Sequence, residues 1–206
     1  MHLLEACPGP GSSRCRSALA RRGRCAGRTV SPTSLRSGGR LLGEFYDEAG
    51  EPHPETGQWV EPGHQFEWAW LLHAHAARRS IEAPVAADAL IEQATRMGID
   101  PDGGGLWDRI DRAGGVVVET KRIWPVCETI KAHALRWRRR GDDADRAAMI
   151  SWLEFLSRHY LRDGGRWHET LNRDLSPLLS DMPGTTPYHL LMMAEEALPA
   201  LAVSAQ

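Results

Sequence analysis

The 206-residue sequence contains no CxxC pair: Cys7, Cys15, Cys25 and Cys127 are scattered. A cysteine zinc site is thereby excluded, and no disulfide framework is supported. No apolar run approaches the roughly 18 residues that cross a bilayer, and the first residues lack a secretory apolar core, so no membrane partner is expected and the cytoplasm is the expected compartment. Acidic residues and lysine are missing from residues 7–40, where eight Arg and three of the four Cys fall. Residues 41–206 reverse that balance, with 17 basic and 26 acidic side chains beneath a formal net charge of only −2 for the chain. An acidic body excludes nucleic acid as a partner, because phosphate binding requires a basic face. The run "RWRRRGDD" at 136–143 reads as a solvated helix end, where cations meet the negative pole of the helix dipole.

What is present divides the chain in two. Residues 1–40 carry no sustained apolar period beyond the opening "MHLLEA", and Gly, Pro, Ser and Arg dominate them. Such a stretch cannot bury enough surface to offset chain entropy, so it is expected to be disordered or aberrant. From residue 41 the pattern becomes regular. Helices are expected over 63–79, over 84–97 with Pro84 at the first position and Gly98 as the stop, over 127–140 ending at Gly141, over 143–161, and from Pro187 onward. On the fourth of these, Ala147, Ile150, Leu153, Phe155 and Leu156 form the expected apolar side. Gly114-Gly115 and "DGGRWHETLNRDL" mark two hairpins. Paired antiparallel helices in this order suggest an all-α toroid of α-hairpins with two β-hairpin insertions.

Three segments share one design, a Pro or aromatic residue followed by His or Glu at a helix start. They are "PGHQFE" with His64 and Glu67, "WPVCE" with Trp124 and Glu128, and "PYH" with His189; "MHLLEA" with His2 is a fourth candidate. Taken singly, a first-turn His or Glu is ordinary capping chemistry. In a ring whose inner helices run parallel, however, their first turns converge on one mouth. Residues three apart share a helix face, so His64 and Glu67 would both look into it. Imidazoles titrating near pH 6.5 can serve as acid and base at neutral pH, and indole faces suit a pyranose ring. At least one of Trp68 and Trp70 should belong to the core, and His73, His75, His133, His159 and His168 read as structural or exposed.

"EPGHQFEWAWLL", "KRIWPVCETIKA" and "PYHLLMMAEEAL" resemble the N-acylglucosamine 2-epimerase superfamily of sugar isomerases and epimerases, with the Glu-Trp-Ala-Trp continuation closer to its mannose isomerase branch. The resemblance implies an (α/α)6 barrel, incomplete here because it covers 41–206 and the first six residues, about the second half. It implies aldose–ketose isomerisation of mannose-type sugars through a cis-enediol, with His64 and His189 as the catalytic acid/base pair. Glu67 would orient His64 or hold a sugar hydroxyl, while Glu128, Trp124 and His2 would line the substrate site. The partner would be a small sugar, and neither metal nor other cofactor would be needed. Two alternatives remain open: 2-epimerisation of N-acylglucosamine or a disaccharide, and an inactive barrel fragment whose bare flanks could pair two copies as a homodimer. Residues 7–39 stand where a helix pair is expected but do not resemble one; translation out of frame after Ala6 until about Arg40 would produce their composition, and resequencing would test it.

Overall fold

The computed structural model describes residues 41–179 and 181–202. The expectations placed on residues 1–40, His2 among them, lie outside the described residues. Five helices carry the fold: α1 (Pro62–Arg79), α2 (Val85–Gly98), α3 (Ile123–Arg140), α4 (Asp143–His159) and α5 (Thr186–Ala202). Helix α3 packs between α1 and α5, with α2 laid against α1 and α4 against α3. The first turns of α1, α3 and α5 meet, and further along Trp70 of α1 reaches Glu196 of α5 at 3.2 Å, so these three helices run in the same direction.

Local chemistry sets the helix ends. Pro62 opens α1 where its missing N–H is not needed, and Ser80 closes it in the left-handed region at φ 53°. Gly141, at φ 70°, ends α3, and the Asp142 side chain then accepts from the Ala144 N–H to start α4. Two boundaries differ from expectation. Helix α3 begins at Ile123, four residues early, because Pro125 falls within the first turn, where a proline costs no hydrogen bond. Pro84 caps α2 from outside, and Val85 is the first helical residue.

The two expected hairpins become three small sheets. Strands β1 (Trp59–Val60), β2 (Arg109–Asp111) and β3 (Val116–Val118) form the first, in that order. The second hairpin is shorter than expected: β5 (Leu161–Arg162) pairs with β6 (Arg166–Trp167) alone. The rest of that segment, β7 (Thr170–Leu171), joins β4 (Lys121–Arg122) and β8 (Pro177–Leu179). Long-range pairing with β4 thus takes residues that local turn signals assigned to a hairpin.

The main core joins Phe66, Trp70 and Leu71 of α1 with Leu90 and Ile91 of α2, Val126 and Ile130 of α3, Met149 and Leu156 of α4, and Met193 of α5. Of the two tryptophans in question, Trp70 is the core residue, while Trp68 is half-buried against it. On α4 the buried stripe runs through Asp145, Met149 and Leu156, and Ala147 faces solvent. Ile150, Leu153 and Phe155 pack against the core as expected, and α4 also turns Asp145 inward to meet His133 of α3 at 2.7 Å. His73 is likewise buried and paired with Asp88 at 3.1 Å, while His75 is exposed. No helix among the described residues is long and apolar enough to cross a membrane.

Candidate active site

Gly63 brings the first turns of α1 and α3 into contact. A Cβ there would lie 2.7 Å from the Trp124 ring and 2.8 Å from Pro125 Cβ, so only glycine lets the two helix ends close on one another. The following residue, His64, then meets the indole of Trp124, with ring centroids 4.9 Å apart. His189 of α5 approaches the same indole, with ring centroids 5.5 Å apart. Trp124 is therefore in contact with two imidazoles that are 125 positions apart in sequence.

Each imidazole is anchored to a carboxylate through the same nitrogen. His64 Nδ1 lies 2.7 Å from Glu44 Oε2, and His189 Nδ1 lies 2.8 Å from Glu128 Oε1. An ionised carboxylate only accepts, so Nδ1–H donates in both pairs and Nε2 is the ring nitrogen outside that bond. Beneath the rings, Glu128 is fully buried and Lys131 Nζ sits 2.9 Å from its Oε2, with the ammonium 3.8 Å from the Trp70 ring centroid. The Glu128 charge is thus held between one imidazole and one ammonium, as a buried carboxylate requires.

A protein-family model for N-acylglucosamine 2-epimerase matches residues 1–193. The chain belongs to this family. It is 34% identical over 163 residues to the mannose-6-phosphate isomerase of Rhizobium meliloti (strain 1021), covering 73% of this chain and 40% of that protein. It is 30% identical over 146 residues to the D-mannose isomerase of Thermobifida fusca, covering 68% of this chain and 35% of the relative. Among solved structures, a D-mannose isomerase superposes with a TM-score of 0.76 at 23% identity, over 91% of this chain and 51% of that one. The cellobiose 2-epimerase of Spirochaeta thermophila DSM 6192 superposes with a TM-score of 0.62 at 18% identity, over 92% and 51%. At these identities the structural likeness speaks for the fold. The chain spans about half the length of the solved structures it matches, and less of the curated relatives.

Of the residues expected at the site, His64, Glu67, Trp124, Glu128 and His189 come together. The hydrogen bond that orients His64 comes from Glu44, not from Glu67. Glu44 was missed because it lies in the irregular segment before β1, 20 residues from His64, with no period or motif around it. Its other oxygen accepts from the Glu61 N–H at 2.9 Å, which pins the carboxylate to the start of α1. Glu61 in turn binds Arg109 at 3.2 Å and Arg122 at 2.9 Å, and Arg122 also binds Asp108 at 2.8 Å. Both small-sheet strands β2 and β4 are thereby tied to the entry of α1.

Burial alone would depress His64, but the Glu44 hydrogen bond and the charges of Glu44, Glu61 and Glu67 outweigh it and raise its pKa above 6.5. This raised value contributes stability that is fully present below the unfolded pKa near 6.5 and is lost as pH rises through the folded pKa. Glu44→Gln is therefore expected to lower the His64 pKa below its wild-type value and to remove that pH-dependent stability. An NMR titration of the His64 Cε1–H reads the first, and thermal melts across pH 6 to 9 read the second.

Glu67, only 2% exposed, takes no hydrogen bond from the described residues. Burial, followed by the neighbouring Glu128 charge, pushes its carboxyl up to about 7, against the pull of His64, Lys131 and His189. A raised carboxylate pKa means that stability falls as pH climbs from the unfolded value of about 4.5 to about 7. Glu67→Gln is accordingly expected to raise Tm at pH 8 and to leave it nearly unchanged at pH 4, in calorimetric scans of the two proteins.

Proposed function

We propose that residues 41–206 form the C-terminal half of an (α/α)6 toroid whose mouth interconverts mannose-type aldoses and their ketoses. The observation that carries this reading is the pair of imidazoles in contact with one indole, each held through Nδ1 by its own carboxylate. One Nε2 takes the proton from C2 of the open-chain aldose. The electrons of that C–H bond form the C1=C2 bond while O1 gains a proton, giving the cis-enediol. Loss of the O2 proton then makes C2 the carbonyl, and a proton delivered to C1 completes the ketose. C2 is oxidised and C1 reduced within one molecule, so the electrons balance without an external donor. Glu67 would hold a sugar hydroxyl, while Glu128 would line the site from beneath and keep His189 oriented, with Trp124 beside it. The names of the curated relatives support isomerisation over 2-epimerisation, which would return the proton to C2 on the opposite face.

Exposed leucines along α5, Leu191 at 60%, Leu198 at 66% and Leu201 at 46%, support a ring continued by further helices. The test is product analysis by the chain and by a version carrying the first half of the barrel in frame, each given mannose, fructose and N-acylglucosamine. Fructose from mannose, with deuterium entering C2 of mannose when the reverse reaction runs in D2O, is the expected result. Conversion of mannose to glucose without fructose would shift the assignment to epimerisation, and no turnover by either protein would end it.

A further inference from the structure

We propose that the concavity between the end of α4 and the β5–β6 hairpin binds a small phosphate-bearing anion. It has a volume of about 510 Å³ and lies apart from the two imidazole–carboxylate pairs. Arg158, Arg162 and Arg166 line it together with His159 and His168, and Asp163 supplies the one carboxylate in its wall. Among the described residues no carboxylate pairs with these three guanidiniums; Arg166 Nε donates only to the Asp163 carbonyl, at 3.2 Å. Elsewhere Arg122, Arg140 and Arg173 are all ion-paired. Three unneutralised guanidiniums around one depression are conspicuous on a body that is acidic overall.

The register of the hairpin supplies an independent argument. Arg162 and Arg166 are directly opposed partners across β5 and β6. Like charges so placed oppose strand pairing, and the N–H fork of a guanidinium suits the oxygens of a tetrahedral dianion. A phosphate held by both would convert the repulsion into a bridge. The walls are fixed beforehand: the His168 N–H donates to the Tyr160 carbonyl at 2.8 Å, and the buried Tyr160 hydroxyl donates to the Lys121 carbonyl at 3.0 Å. The His159 ring packs on Phe155 with centroids 4.6 Å apart.

Without an anion both histidines are held below their usual pKa, His159 by burial and then by Arg158 and Lys121, His168 by burial and then by Arg162. A bound dianion opposes those cations, so occupancy raises the pKa of both imidazoles. The shared chemistry is the phosphate head, whether free or as the ester of a small metabolite.

The test follows the Cε1–H resonances of His159 and His168 in the whole chain while inorganic phosphate replaces chloride at constant ionic strength. Saturable shifts with Kd of about 1 mM or tighter at pH 6.5 are expected, with His64 and His189 unmoved. The double variant Arg162→Gln with Arg166→Gln should bind at least tenfold more weakly, and phosphate should raise the Tm of the wild type more than that of the variant. A parallel titration with glucose 6-phosphate separates the sources: comparable affinity assigns the ester, and exclusion of the sugar assigns free phosphate. Shifts reproduced by chloride alone, or equal phosphate affinity in the double variant, would overturn the proposal.

Discussion

Replacing His64 or His189 by Asn is expected to lower kcat by about 10²–10⁴, the usual contribution of a positioned acid or base. The two rings lie on different helices but share one indole, and in the proposed reaction both serve the same sugar. Loss of either stalls the cycle, and the double variant should fall little further than the worse single one. Asn retains a donor for Glu44 or Glu128, which limits the structural cost of leaving those carboxylates without a partner. The measurement is steady-state conversion of mannose by the active form of the protein, with thermal melts to confirm folding. Additive losses from the two substitutions, or a change confined to KM, would mean that the rings bind sugar without moving its protons.

The largest expected effect on stability comes from Asp100→Ala. Lys121 is fully buried, with its ammonium 2.7 Å from Asp100 Oδ2, 2.9 Å from the Arg173 carbonyl, and 4.7 Å from the Trp107 ring centroid. Asp100 follows α2 and Lys121 opens β4, which leads straight into α3 and Trp124. The pair therefore ties the outer helix to the strand that delivers the site. Removing the carboxylate strands a buried cation, which costs about 3–5 kcal/mol, whereas replacing both partners by apolar residues of similar volume is nearly neutral. Urea denaturation should show Asp100→Ala strongly destabilised and Asp100→Leu with Lys121→Met close to wild type. A single variant within about 1 kcal/mol of wild type would mean that water reaches the ammonium.

Helix α1 was legible because Pro62, the apolar spacing through Phe66, Trp70 and Leu71, and the closing arginines are all local signals. The start of α3 was not, because a proline that ends a helix elsewhere is harmless in the first turn. Strand β7 was misread for a different reason: its partner β4 lies 50 residues earlier, and a two-residue strand carries no periodicity of its own. The pairs Glu44–His64, Glu128–His189 and Asp100–Lys121 follow the same rule. Each partner is an ordinary surface-type residue in its local context, and only burial makes the pairing obligatory.

By itself the sequence determined which segments are helical, where most of them end, and that His64 and His189 each sit at a helix start, because these depend on bonds spanning a few residues. Only the tertiary structure decided that three first turns share one indole, that Glu44 rather than Glu67 holds His64, and that Glu67 is a carboxyl titrating near 7. Those properties arise from desolvation and from charges brought close by packing, and neither exists until the helices are assembled.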